Sequence, residues 1–127
     1  MKSVEIFTDG GCKGNPGPGG YGCIIRRGDN VIELKGSDPQ TTNNIMEMTA
    51  AIVALKELSQ PYQVTLTTDS QYLVKGMTEW IHNWIKKGWV TASRKPVKNK
   101  EIWQELHSLS KKHKITWVWV KGHAGHP

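Results

Sequence analysis

The alternation of apolar and polar positions along the chain predicts five short strands. Residues 4–8, 21–27 and 31–35 are rich in β-branched and aromatic side chains, which favours three strands joined by short connections. Residues 64–67 and 115–120 have the same character and predict the fourth and fifth strands. Between these runs, apolar residues recur at helical rather than alternating spacing.

Helical spacing is clearest in residues 44–58, where Ile45, Met48, Ile52 and Leu55 fall on one predicted face. Further helical segments are predicted near residues 70–75, 79–87 and 101–112. Three strands, a helix, a strand, three helical segments and a last strand together predict the α/β class. The sheet is expected to be antiparallel through its opening strands and parallel across the helical crossovers.

Residues 17–22, GPGGYG, have the spacing of a dinucleotide-binding fingerprint, which requires a helix to follow the glycines. The residues that follow favour a strand, and Pro16 and Pro18 disfavour a helix. We therefore predict no nucleotide cofactor here and expect these glycines to shape a loop between two strands. Residues 37–42 are also predicted to form a loop.

At 127 residues the chain is expected to form one domain. Its longest apolar run, residues 50–55, is far below the roughly 20 residues that span a membrane. Cys12 and Cys23 have neither metal-type spacing nor the density of a disulfide scaffold. These features predict a reduced, cytoplasmic protein, and no pattern suggests an obligate oligomer, so a monomer is expected.

The net charge of +6 is unevenly distributed. Residues 1–74 carry six basic and eight acidic side chains, whereas residues 75–121 carry eleven basic and three acidic ones. All six tryptophans lie in the second region. Cationic side chains interleaved with indoles suit a surface that binds phosphates and bases. The same composition also describes a solvated basic face above ordinary core tryptophans.

Three acidic residues are candidates for chemistry, although each has an ordinary structural explanation. Asp9 ends the first predicted strand, Glu47 lies in the first turn of the long helix, and Asp69 ends the fourth strand. Asp9 and Gly10 form a typical turn dipeptide. Asn44 and Glu47 have the spacing of a capping box, and Asp69 is suited to cap the next helix.

Considered together, the three acids indicate a metal site. If the first and fourth strands are parallel neighbours, Asp9 and Asp69 meet at one edge of the sheet, and a helix across it can bring Glu47 alongside. Three converging carboxylates repel one another unless a cation joins them. Oxygen ligands alone suit Mg²⁺ or Mn²⁺. Beside a basic surface, such a site predicts phosphodiester chemistry.

The whole chain resembles the bacterial type 1 ribonucleases H. The motifs that carry the resemblance are IFTDGGCKGNPGPGGYG (6–22), TTNNIMEMTAAIVAL (41–55), TTDSQYLVKG (67–76), WIHNWIKKGW (80–89), KPVKN (95–99) and WVWVKGHAGHP (117–127). The resemblance implies the ribonuclease H-like fold, in which helices flank a five-stranded mixed sheet. It also implies an endoribonuclease that cuts the RNA strand of RNA/DNA hybrids by a two-metal-ion mechanism, leaving 5′-phosphate and 3′-hydroxyl ends.

The resemblance also implies roles for individual residues. Asp9, Glu47 and Asp69 would hold two Mg²⁺ ions, with Mn²⁺ possible, and His123 would assist proton transfer or product departure. The residues expected to contact the RNA are Cys12, Asn15, Asn43, Asn44 and Gln71. Those expected to contact the DNA strand and its phosphates are Thr42, Trp80, Trp84, Lys86, Lys87, Lys95, Lys98 and Asn99.

The resemblance is incomplete at the end of the sequence. In the family, a helix that follows the loop containing the His123 equivalent carries a fourth carboxylate. This sequence ends at Pro127, where that helix would begin. We expect that helix to be absent from these 127 residues and one of the two metal sites to be impaired without it. The alternative functions are an RNA/DNA hybrid-binding module that cleaves poorly as truncated, or another nuclease of the same fold.

Overall fold

The structure, a computed structural model, describes residues 1–121. Within this range the strands are β1 (Lys2–Cys12), β2 (Gly17–Arg27), β3 (Asn30–Thr41), β4 (Tyr62–Thr68) and β5 (Lys114–Trp119). The helices are α1 (Asn43–Glu57), α2 (Gln71–Lys75), α3 (Ile81–Lys86) and α4 (Lys100–Ser110). A π-helical turn, Gly76–Trp80, joins α2 to α3 without a break.

Within the described range, the strands form one mixed sheet in the order β3-β2-β1-β4-β5. The first three strands are antiparallel neighbours, and a two-residue connection joins β2 to β3, where Gly28 adopts a φ of 57°. Strand β4 pairs in parallel with β1, and β5 pairs in parallel with β4. Parallel neighbours need a crossover connection, which α1 and the later helices provide. The predicted fold class is confirmed.

Two segments predicted as loops are strands. The glycine-rich residues 17–20 lie in β2, and residues 37–41 continue β3. The physical reason is close backbone approach: a Cβ on Gly19 would lie 2.6 Å from Thr41 Cγ2 and 2.7 Å from the Gly11 carbonyl oxygen. Glycine is therefore required here inside a strand. Composition indicated a loop because the same residue type also serves turns.

The core lies between the sheet and helix α1, and α4 packs on α1. Val4 and Ile6 of β1 point inward and are buried, as are Met48 and Leu55 of α1. On α4, Trp103 is fully buried although its indole carries a polar N–H. Burying each large apolar side chain contributes about 1.5–3 kcal/mol, and this stabilisation holds the helices against the sheet.

The helical region after β4 is one continuous rod instead of the two segments predicted. The π-helical turn begins at Gly76, where any Cβ would overlap the ring of Trp103. The rod ends at α3, and Gly88 follows with the positive φ of 74° that favours glycine after a helix. None of the helices within residues 1–121 is long and apolar enough to cross a membrane.

Candidate functional site

The parallel pairing of β1 and β4 places two of the three candidate acids side by side. Thr8 of β1 is in register with Thr68, the last residue of β4, so Asp9 and Asp69 come next, side by side. Asp9 does not end its strand as predicted: β1 continues to Cys12, and Asp9 pairs with Gly22 of β2. The turn explanation for Asp9 is therefore wrong.

Helix α1 brings Glu47 to the same place. The helix packs on β1 at Gly10, where a Cβ would lie 2.6 Å from the Met46 carbonyl carbon and 2.7 Å from the Glu47 nitrogen. The N-cap is Thr42, whose hydroxyl accepts a hydrogen bond from the Ile45 N–H at 3.2 Å. Glu47 thus lies in the second turn instead of the first, and the capping-box explanation is wrong.

The capping explanation for Asp69 is also wrong. Ser70 is the N-cap of α2, and its hydroxyl accepts a hydrogen bond from the Leu73 N–H at 3.0 Å. Asp69 directly follows β4 and is partly buried, so its carboxylate is not used to start a helix. Helix capping therefore explains neither Glu47 nor Asp69.

The three carboxyl groups converge on one point. One oxygen from each of Asp9, Glu47 and Asp69 lies within 4.8 Å of the others. Burial raises the pKa of the Glu47 carboxyl group to about 7, and its hydrogen bond with Asp69 and the charges of Asp69 and Asp9 act in the same direction. A hydrogen bond with the Ser70 hydroxyl opposes this increase in pKa. The cluster therefore favours either a proton or a cation among its oxygens.

A hydrogen-bonded network beside this cluster contains three of the residues expected to contact RNA. The Cys12 N–H donates to Asn43 Oδ1 at 2.9 Å, and the Asn43 N–H donates to Asn15 Oδ1 at 2.9 Å. The Cys12 thiol is 3.5 Å from the same Asn15 oxygen. Because both side-chain oxygens accept from the backbone, the NH₂ group of each amide is left as a donor.

The other two residues expected to contact RNA lie in the first turns of helices. Asn44 is partly exposed near the start of α1, and Gln71 is exposed as the first residue of α2. Only Ser70 separates Gln71 from Asp69 in the sequence, so Gln71 lies close to one member of the carboxylate cluster. The structure thus places amide side chains on both helices that lead into the cluster.

Most of the residues expected to contact DNA lie in the second half of the chain. The lysines at positions 86, 87, 95 and 98 are all exposed. Trp80 and Trp84 are half-buried, with ring centroids 6.0 Å apart, and Trp84 lies 5.4 Å from the Trp103 ring. Trp84 packs against the core, and Trp80 packs against Trp84. A bridge between Val90 and Pro96 lies at the basic loop, which comprises residues 91–98.

Asn99, expected to bind phosphate, has an unusual geometry. It precedes α4 with φ 60° and ψ 28°, and its side chain does not cap the helix. Its Nδ2 donates instead to the Tyr72 hydroxyl at 3.2 Å. Thr42 uses its hydroxyl as the cap of α1. His123 lies outside the described residues.

Sequence reasoning missed three residues that support the site. Ser70 contacts Glu47, the Trp119 indole N–H donates to the Asp69 carbonyl oxygen at 3.1 Å, and Tyr72 holds Asn99. Trp119 and Asp69 are 50 residues apart, so no local spacing pattern connects them. The nearest signal was that Ser70 and Tyr72 follow Asp69 within the same short motif.

Comparisons with known proteins agree with this geometry. The model of the RNase H family matches residues 1–127. The ribonuclease H of Geotalea uraniireducens (strain Rf4) is 64% identical over 124 residues, covering 98% of this chain and 84% of that protein. The ribonuclease H of Hydrogenovibrio crunogenus is 59% identical over 126 residues, covering 99% of this chain and 87% of that protein.

Solved structures with the same fold include two ribonucleases H. LC9-RNase H1, a type 1 RNase H with the type 2 active-site motif, superposes with a TM-score of 0.85 at 36% identity. The match covers 99% of this chain and 66% of that one. LC11-RNase H1, solved in complex with an RNA/DNA hybrid, has a TM-score of 0.74 at 26% identity, over 97% of this chain and 88% of that one.

Proposed function

The chain belongs to the ribonuclease H family, and we propose that it is a metal-dependent endoribonuclease that hydrolyses the RNA strand of RNA/DNA hybrids. The convergence of Asp9, Glu47 and Asp69, with oxygens within 4.8 Å of one another, is the observation that carries the proposal. Helix capping and turn formation account for none of the three carboxyl groups.

The donor set fits a hard divalent cation. Asp9, Glu47 and Asp69 offer carboxylate oxygens alone, which suit Mg²⁺ and, as an alternative, Mn²⁺. The raised pKa of Glu47, caused by burial and by the neighbouring Asp69 and Asp9, supports a cation at this cluster. When bound, divalent ions lower the pKa of an attacking water and stabilise the negative charge on the phosphate. The protein contributes rigid placement of the three ligands on β1, α1 and the end of β4.

Selection of the RNA strand is assigned to the amides beside the cluster. The oxygens of Asn15 and Asn43 accept backbone N–H groups, so their NH₂ groups are available to 2′-hydroxyl and base acceptors. Asn44, Gln71 and Cys12 complete the RNA-facing group. Contacts to the backbone and 2′-hydroxyls carry little base information, so cleavage is expected at many sequences.

The DNA strand is assigned to Thr42 and to residues in the second half of the chain. Lys86, Lys87, Lys95 and Lys98 are exposed and can neutralise phosphates. Thr42 and Asn99 supply polar groups at the starts of α1 and α4, and Trp80 and Trp84 are assigned to contacts with the DNA strand. We also propose that residues 1–127 form one domain, and that the protein acts as a monomer in the cytoplasm. His123 is proposed to assist proton transfer or product departure.

Cleavage of a labelled RNA/DNA hybrid tests the proposal, alongside the same RNA single-stranded and paired with RNA. We expect Mg²⁺-dependent cutting of the hybrid alone, and loss of cutting with retained hybrid binding in Asp9→Asn. Asp29→Asn is the matched control, because Asp29 is an exposed carboxylate in the β2–β3 connection. Full activity in Asp9→Asn, or equal cutting of all three substrates, contradicts the proposal.

A further inference from the structure

The hydroxyl of Tyr72 joins two residues that are distant from it in sequence. Its oxygen lies 3.2 Å from Asn99 Nδ2 and 3.3 Å from Trp103 Nε1, and both nitrogens donate to it. Tyr72 lies in the short helix α2. Asn99 directly precedes α4, and Trp103 lies near the start of α4. These bonds tie the beginning of α4 to α2.

Trp103 holds Tyr72 in one position. An indole N–H only donates, so one acceptor site of the Tyr72 oxygen is committed to Trp103. The Tyr72 ring also packs between Trp103 at 5.2 Å and Trp80 at 5.7 Å between centroids. Trp103 is fully buried and packs closely against Gly76. The Tyr72 oxygen is therefore a fixed acceptor.

Asn99 is unusual in its backbone conformation and in its lack of a helix-capping hydrogen bond. Its backbone is in the left-handed region, which asparagine tolerates but does not prefer. It stands directly before α4, where an asparagine side chain is among the best helix caps, yet it makes no capping bond. Its amide is directed to Tyr72 instead. Because the Asn99 amide is bonded to Tyr72 and not to its own helix, its placement points to a role outside the helix.

We propose that Tyr72 is a positioning residue for Asn99, and that it orients the Asn99 amide to donate its second N–H to a phosphate oxygen of the DNA strand. This inference rests on the proposed function, which assigns Asn99 to that phosphate. An amide nitrogen carries two N–H groups, so the bond to Tyr72 leaves one for the ligand. The terminal torsion of asparagine is broad, and without the Tyr72 acceptor the amide is free to rotate.

Hybrid cleavage and binding by Tyr72→Phe test the inference. We expect KM, and the Kd measured in an Asp9→Asn background, to rise about three- to tenfold, with kcat unchanged. Tyr62→Phe is the matched control. The Tyr62 hydroxyl also accepts two hydrogen bonds, from Arg27 and Gln60, but Tyr62 begins β4 at the end remote from Asp69. Its KM and Kd are expected to match those of the parent protein.

Two further measurements separate positioning from a general loss of packing. Tyr72→Phe combined with Asn99→Ala is expected to bind no more weakly than Asn99→Ala alone, since both changes remove one interaction. Single phosphates of the DNA strand can also be replaced with uncharged methylphosphonates. At one position this replacement is expected to weaken hybrid binding by the parent protein but not by Tyr72→Phe or Asn99→Ala. Additive losses, or a parent-like Tyr72→Phe, overturn the inference while leaving the proposed function intact.

Two remaining outcomes are also decisive. If the parent protein binds and cuts no hybrid, the proposed function and this inference both fail. If circular dichroism shows that Tyr72→Phe does not fold, the test is made instead by NMR, on the Asn99 side-chain resonances of the Asp9→Asn protein. Adding hybrid is expected to shift one of the two Nδ2 protons strongly, and the absence of such a shift overturns the inference.

Discussion

Replacing Gly10 with alanine tests whether the packing of α1 on β1 holds the carboxylate cluster together. A Cβ at this position would lie 2.6 Å from the Met46 carbonyl carbon, 2.7 Å from the Glu47 nitrogen and 2.8 Å from the Met46 carbonyl oxygen. All three atoms are backbone, so no side-chain rotation relieves the overlap. The helix must retreat by about 0.8 Å before these contacts reach the ordinary 3.4 Å.

That displacement moves the Glu47 backbone away from Asp9. Magnesium ligands must lie near 2.0–2.1 Å with a tolerance of about 0.2 Å, so a shift of about 0.8 Å is large for this site. We expect Mg²⁺ affinity to fall about 10- to 100-fold, as it does when the groups that orient metal ligands are removed. The overlap itself is expected to lower the free energy of unfolding by about 1–3 kcal/mol.

Calorimetric titration with Mg²⁺ measures the affinity, and urea denaturation in EDTA measures the stability. Gly22→Ala is the control, because Gly22 pairs directly with Asp9 but a Cβ there would meet only the Leu34 carbonyl oxygen, at 3.7 Å. It should bind Mg²⁺ as the parent protein does. A Gly10→Ala protein with parental Mg²⁺ affinity and stability would refute the argument that this contact sets the position of Glu47.

Three further predictions concern pH and salt. The pKa of Glu47 is about 7 in the folded protein, above its ordinary 4.5. Without metal, the folded state therefore binds this proton more tightly than the unfolded state does. As a result, the free energy of unfolding falls as the pH rises from about 4.5 to 7. Urea denaturation in EDTA should show a shallower fall for Glu47→Gln, and an equally steep one would exclude this cause. Burial lowers the pKa of His113, whose Nδ1 accepts the Tyr62 N–H at 3.0 Å, so its contribution to stability is complete above about pH 6.5 and is lost as the pH falls below that value. Thermal unfolding of His113→Gln between pH 5 and 7 should lack this loss; an unchanged loss relative to the parent protein argues against His113. Replacing Lys95 and Lys98 with glutamine should reduce the slope of log affinity for hybrid against log salt by about 1 per lysine, and an unchanged slope means that neither contacts phosphate.

Local patterns predicted the strands and helices well where one side of an element is buried. In β1, Val4 and Ile6 alternate with exposed residues because the strand has a helix on one face, and the alternation is visible in the sequence. The pattern failed in the glycine-rich start of β2 and the end of β3, where the requirement is close packing of Gly19 against Thr41. Composition does not distinguish a glycine needed for a turn from one needed for contact.

The acids were identifiable from the sequence, but their separate structural explanations were equally consistent with it. Asn44 and Glu47 have capping-box spacing, and only the observed start of α1 at Asn43, capped by Thr42, removes that explanation. In the same way Ser70 replaces Asp69 as the cap of α2. A shift of one or two residues in a helix start decides such cases, and local spacing does not resolve that shift.

The sequence by itself determined the class of fold, the order of its elements and the family, because periodicity and long motifs are properties of the chain read in one dimension. The tertiary structure decided which groups meet. Parallel pairing of β1 with β4 sets Asp9 beside Asp69, and the missing side chain of Gly10 lets α1 bring Glu47 to them. Tyr72 likewise reaches Asn99 across 27 residues. These distances depend on how strands pair and helices pack, and pairing is a property of the folded chain as a whole.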